Sequence, residues 1–208
     1  MFQGKIVCVG RNYAEHAKEL NNPVPETPLL FIKPSTALAD VEPEFRIPAS
    51  DCHYEAELAV RIGRDLQAVT PDEAVSAIDG YALALDLTKR ECQSALKAKG
   101  HPWEIAKAFD GSCPITPFVS PDALNDPAAL KFSLSINGSL RQQGDTADML
   151  TPIPQLLSYI TQHFTLRAGD IVLTGTPAGV GQLSNGDVIK LELQGAFSWS
   201  GVAKVSEV

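Results

Sequence analysis

The sequence predicts an α+β fold organised on a large mixed, mostly antiparallel β-sheet. Three observations carry that prediction. Candidate strands outnumber candidate helices, no βαβ rhythm is sustained, and two Asn-Gly pairs, Asn137-Gly138 and Asn185-Gly186, mark hairpin turns. At 208 residues the chain suits one sizeable core and is short for two, and no repeat, low-complexity tract or linker divides it. The expected organisation is a single domain over 1–208.

Each element has its own local reason. Lys5–Val9 is apolar and β-prone and ends at Gly10, so it reads as a first strand. Asn12 stands where it can cap a short helix over Tyr13–Leu20. Asn21–Pro28 is proline-rich and reads as an exposed loop, and Leu29–Ile32 is a short strand that delivers Lys33 ahead of Pro34. Pro43 and Pro48 interrupt Ala39–Asp51, which is expected to be irregular. His53–Ile62 alternates like a strand and stops at Gly63.

Thr70-Pro71-Asp72-Glu73 combines a capping box with proline at the first helical position, predicting a helix to about Ile78. Gly80–Leu87 is a second strong strand. Its large apolar residues point one way, and Ala82, Ala84 and Asp86 the other. Thr88 is expected to cap a helix to about Lys99. Lys131–Ile136 is a strand, and Pro154–Phe164 has helical spacing at Leu156, Leu157 and Ile160. Asp170–Leu173 is a buried-looking strand feeding the glycine-rich run Gly175–Gly181, and strands at Val188–Leu193 and Ser200–Val205 close the chain.

The net charge of −8 argues against a nucleic-acid or anionic-membrane partner. An anionic small substrate remains possible if lysine, arginine or a metal supplies local positive charge. Cys8, Cys52, Cys92 and Cys113 form no C-x-x-C pair, which fits reduced thiols rather than a zinc or redox site. The N-terminus lacks a long apolar signal region, and no window approaches the ~20 apolar residues of a membrane span. The cytoplasm is the expected location.

The chemistry-bearing residues gather in a few places. Glu55 and Glu57 are two apart in a strand and so share a face. Such a pair repels unless solvent or a cation separates the charges, and a solvated polar strand face alone would account for it. Asp86 sits among small residues that leave room for an ion, although a strand-end aspartate also serves as a cap or turn residue. Together the three acids would offer oxygen ligands to octahedral Mg²⁺ or Mn²⁺. His16 and Glu19, three apart on a helix, share a face where the carboxylate can orient the imidazole as a base; a chance exposed pair is the plainer alternative.

Lys33, Arg90 and Lys107 are candidate cations. Lys107 lies among Trp103, Ile105, Ala106, Ala108 and Phe109, where an isolated ammonium is costly, unless it is a surface lysine with a buried stem. Gln93 follows Arg90 by three residues and can reach a substrate. Gly175–Gly181 lacks the G-K-[ST] ending of a nucleotide cradle. It reads either as a tight turn or as a loop whose N–H groups and Thr176 hydroxyl hold a carboxylate.

Taken in order, six segments resemble the fumarylacetoacetate hydrolase family. They are Gly10-Arg11-Asn12-Tyr13-Ala14-Glu15-His16, Leu30–Ser35, His53–Leu58, Leu85-Asp86-Leu87-Thr88, Pro102–Phe109 and Leu173–Gly181. The nearest branch is that of short acylpyruvate hydrolases and oxaloacetate decarboxylase-like proteins. One departure is Arg90-Glu91, where the family usually reads Arg-Asp. The resemblance implies a mixed, mostly antiparallel β-roll with short flanking helices, usually a homodimer. It implies Mg²⁺ or Mn²⁺ held by Glu55, Glu57 and Asp86, and it makes 1–35 an N-terminal strand with a lid bearing the His16–Glu19 dyad. Lys107 would reach the active site, with Arg11, Lys33, Arg90, Gln93 and Thr176 contacting a 2-oxo acid.

The first expectation is therefore an acylpyruvate hydrolase. Water activated by His16 attacks the distal acyl carbonyl, and the C–C bond breaks to an acid and pyruvate enolate, the charge that the metal must hold. A lyase or isomerase on the same platform, decarboxylating oxaloacetate or exchanging its enol and keto forms, is the alternative. A non-catalytic dicarboxylate-binding protein comes third, because it would not need His16, Glu19 and Lys107.

Overall fold

The computed structural model describes residues 4–206 apart from 22, 125, 127, 128 and 196. In chain order the elements are β1 (Ile6–Gly10), α1 (Ala14–Glu19), β2 (Leu29–Lys33), β3 (Leu38–Asp40), β4 (Glu44–Ile47), β5 (His53–Tyr54), β6 (Ala56–Ile62), α2 (Pro71–Val75), β7 (Ile78–Leu85), α3 (Arg90–Ala98) and α4 (Glu104–Lys107). They continue with β8 (Cys113–Ile115), β9 (Lys131–Ile136), β10 (Ser139–Asp145), α5 (Ile153–His163), β11 (Ile171–Leu173), β12 (Gly181–Gln182), β13 (Val188–Leu193) and β14 (Phe197–Val205).

Two mixed sheets dominate. One runs β2-β1-β11-β6-β7-β8-β3, the other β10-β9-β13-β14-β4, and β5 and β12 form a small two-stranded pair. Most neighbours are antiparallel; β1–β11, β3–β8 and β4–β14 are parallel. This is the mixed, mostly β architecture that the sequence predicts. The alternation along β6 and β7 builds it. Leu58, Val60, Tyr81, Leu83 and Leu85 enter the main core, which they share with Phe132, Leu134 and Leu191 of the second sheet. Ala59, Ala82 and Ala84 face the other way with Cys8, Cys113 and Leu173. The acids emerge on this face of small side chains, with Glu57 directly opposite Ala84.

Several local expectations are corrected. Asn12 and Thr88 cap nothing. Tyr13 and Lys89 hold the N-cap positions of α1 and α3 with no side-chain cap bond. Asn12 is instead a buried tie, since its amide donates to the Thr151 and Thr174 carbonyls and its oxygen accepts from the Thr151 N–H. The stretch expected to be irregular contains β3 and β4. Pro43 and Pro48 fall just outside β4, so they delimit a strand rather than abolish one. The strand through Glu55 is broken there, and α2 stops at Val75, so that Ile78 begins β7. The Thr70 capping box forms as expected.

Candidate active site

The end of β7 and the break between β5 and β6 lie side by side, because the Asp86 N–H donates to the Glu55 carbonyl at 2.8 Å. This registers the third acid against the first two. One oxygen from each of Glu55, Glu57 and Asp86 lies within 4.8 Å of the others, and all three residues are buried. Such acids would be untenable without cations, and three surround them. Lys107 Nζ reaches Glu55 Oε2 at 2.8 Å and Asp86 Oδ2 at 2.6 Å. Arg90 pairs with Glu55 Oε1, and Lys33 Nζ lies 2.9 Å from Asp86 Oδ1.

The electrostatics follow from these contacts. Burial pushes the Glu55 carboxyl up, but Lys107 and Arg90 outweigh it and hold the group well below the usual carboxylate range. Glu57 forms no ion pair among the described residues. Burial, Asp86 and Glu55 all raise its pKa, and the Gly175 N–H, donating to Oε2 at 2.7 Å, offsets only part of that. Burial would strip Lys107 of its proton, yet Asp86 and Glu55 push its pKa above the ordinary lysine value, so the ammonium persists. Three converging carboxyls, one of them short of positive charge, form a hard oxygen donor set that suits Mg²⁺ or Mn²⁺. When bound there, such an ion would supply Lewis-acid polarisation of substrate oxygens.

The cavity over the acids is lined by Arg11, His16, Arg90, Gln93, Lys107 and Thr176, with Leu20, Leu29, Phe31 and Trp103 as an apolar wall. α1 closes onto it through Glu19, whose carboxylate accepts the Gly179 N–H at 3.1 Å. His16 Nδ1 lies 3.5 Å from Glu19 Oε2 and is buried, and that burial lowers its pKa and favours the neutral imidazole. Gly179 has φ +100°, and a Cβ there would meet the Arg141 carbonyl at 2.1 Å, so the docked loop needs glycine.

Two expected substrate contacts are placed differently. Lys33 is fully buried behind Asp86, against the Lys107 carbonyl and Ser112, and does not line the cavity. The Thr176 hydroxyl does line it but already donates to the Ala56 carbonyl at 2.8 Å, so its proton is committed to the fold. Arg90-Glu91 does no damage: Arg90 also donates to Gln93 Oε1 at 2.8 Å, and the Glu91 N–H donates to Asp51.

Sequence reasoning missed Gln142, Ser112 and Lys97. Gln142 is buried and crosses between the sheets. It accepts the Ala56 N–H, between the two glutamates, and donates to Thr176 Oγ1 and the Pro177 carbonyl. Nothing local in Arg141-Gln142-Gln143 signals that role. Lys97 does carry a signal, since it lies four residues beyond Gln93 on the helix face that begins with Arg90. It lines the cavity with its ammonium 4.9 Å over the Trp103 ring.

Comparison with known proteins gives the family. Residues 5–202 match the family model described as fumarylacetoacetate (FAA) hydrolase C-terminal. The chain is 50% identical to the oxaloacetate tautomerase YcgM of Escherichia coli K12, over 92% of this chain and 89% of that one. It is 46% identical to the mitochondrial oxaloacetate tautomerase FAHD1 of Bos taurus, over 93% and 88% of the two chains. Among solved structures, a fumarylpyruvate hydrolase from Pseudomonas aeruginosa, in complex with Mn²⁺ and pyruvate, superposes with a TM-score of 0.91 at 35% identity, covering 97% of this chain and 90% of that one.

Proposed function

The chain belongs to the fumarylacetoacetate hydrolase family, and from that premise we propose that it is a metal-dependent enzyme interconverting the enol and keto forms of oxaloacetate. This reverses the ranking drawn from sequence, where acylpyruvate hydrolysis came first; the relatives named oxaloacetate tautomerase support the change.

The observation that carries the reading is the charge of the cavity. The three acids are matched by Lys33, Arg90 and Lys107. A divalent cation on the same acids would turn that balance into a positive excess, to which Arg11 and Lys97 of the cavity lining add, and this suits an anionic substrate. Neutral His16 then has the protonation state needed to move a proton. Enol-to-keto conversion takes the proton from the C2 hydroxyl and places one on C3, with no net gain or loss. His16 Nε2, the ring nitrogen away from Glu19, carries that proton, and Glu19 orients the ring. Lys107 and Arg90 hold the negative charge that passes across the substrate oxygens, while Leu29, Phe31 and Trp103 exclude water. Gln93 and the main chain at Thr176 position the carboxylate next to C2.

Hydrolysis of acylpyruvates is the second reading, favoured by the same His16–Glu19 pair, which suits water activation. The two separate in one assay. Purified protein with Mg²⁺ or Mn²⁺ is given oxaloacetate, acetylpyruvate and fumarylpyruvate, following loss of enol absorbance and release of pyruvate. Enol–keto exchange should exceed acylpyruvate cleavage by about tenfold or more in kcat/KM; the reverse ranking overturns the proposal. A cytoplasmic homodimer completes the reading. Free thiols at Cys8, Cys52, Cys92 and Cys113 suit a reducing compartment. Analytical sedimentation reads the subunit count directly, and a monomer would remove that part.

A further inference from the structure

We propose that Lys97 and Arg11 form a subsite for the second carboxylate of the substrate, so that the cavity selects diacids over monoacids. The proposal rests on the functional reading above for where the first carboxylate sits. Its own support is a division among the cavity's cations. Arg90 and Lys107 are committed to Glu55 and Asp86. Lys97 and Arg11 line the same cavity, and neither has an ion-pair partner among the described residues. Among the described residues the Arg11 side chain makes one hydrogen bond, a long one of 3.5 Å to the Pro23 carbonyl. The Lys97 ammonium lies over the Trp103 ring face.

The two come from separate elements. Arg11 sits between β1 and α1 with a left-handed φ of 61°, and Lys97 is on α3. Two like charges brought towards one half-buried cavity repel each other, and in a protein of net charge −8 acids to pair with them are plentiful. An anion shared by both relieves that repulsion. A carboxylate accepts from a guanidinium and an ammonium together through its two oxygens. A divalent cation on the acids, with Gln93 and Lys107, would hold the C1–C2 end, leaving the outer carboxylate to these two cations.

The test is calorimetric and needs no turnover. Mg²⁺-loaded wild type, Lys97→Met, Lys97→Arg and Arg11→Gln proteins are titrated with L-malate and L-lactate, which differ by one carboxylate. Wild type should prefer malate by about tenfold or more, the size of one charge-assisted hydrogen bond. Lys97→Met and Arg11→Gln should each lose most of that preference while binding lactate within twofold of wild type, and Lys97→Arg should keep it. Unchanged Mg²⁺ affinity in each variant verifies that the site is intact. No malate preference in wild type, or a preference that survives in Lys97→Met, overturns the subsite. Equal weakening of both ligands also overturns it, because that is a general field effect. If wild type fails to interconvert oxaloacetate tautomers yet shows the preference, the functional reading falls and the subsite stands.

Discussion

Replacing Lys33 with methionine separates a structural ammonium from a substrate-binding one. The change keeps an unbranched side chain of similar length but removes the charge. Asp86 Oδ1 then loses the ammonium at 2.9 Å, and the Ser112 carbonyl and hydroxyl lose contacts at 3.1 and 3.0 Å, as does the Lys107 carbonyl. With Lys33 fully buried, no solvent replaces these bonds. Breaking a buried ion pair by removing one partner costs about 3–5 kcal/mol. For a chain of this size each kcal/mol shifts the melting temperature by about 2–4 °C, so a fall of roughly 6–20 °C is expected. Urea unfolding followed by circular dichroism should show a lower midpoint with an unchanged slope. A wild-type midpoint combined with a raised KM would refute the reasoning and return Lys33 to the substrate.

Four other outcomes are expected. Glu57→Gln can still accept the Gly175 N–H, so it should fold, but Mg²⁺ binding by calorimetry should be sharply weakened; unchanged affinity removes Glu57 from the metal site. His16→Ala should lose about two to four orders of magnitude in kcat with metal affinity intact, and full activity would place proton transfer elsewhere. Gln142→Leu strands the Ala56 N–H and the Pro177 carbonyl, at about 1–3 kcal/mol each, and should lower both the urea midpoint and metal affinity. Burial, then Arg11, Arg90 and Lys107, lower the Lys97 ammonium to about 8, with Glu55 opposing. Lys97 is charged below that pH and neutral above it, so malate affinity should fall as pH rises through about 8 while lactate affinity stays flat. Parallel profiles for the two ligands would contradict this.

Much of the site was legible because its chemistry is written in short-range spacing. Glu55 and Glu57 two apart, Asp86 at a strand end, His16 and Glu19 three apart, and Arg90 and Gln93 three apart each declare a shared face before any tertiary contact is known. Depth was not legible. Nothing near Lys33 distinguishes a cation facing substrate from one sealed behind an aspartate, because that depends on Ser112 and Lys107, distant in sequence. Asn12 and Thr88 looked like caps because local propensity is all that sequence displays. In the fold, the Asn12 amide finds partners at Thr151 and Thr174, and the Thr88 hydroxyl donates to the Asp86 carbonyl. β3 and β4 escaped notice because each is completed by a partner far along the chain, β8 and β14.

The Gln142 bridge has a consequence for how such a protein can change over generations. The acids stand on a floor pinned from the opposite sheet, at the peptide between Glu55 and Glu57. The wall of the cavity is drawn from other pieces, the α1 segment, β2 and α3, none of which makes that bond. Mutations that resize the wall through Leu29, Phe31 or Lys97 therefore leave the floor in register. A lineage can reshape the rim by drift while the cluster of three acids is inherited without interruption.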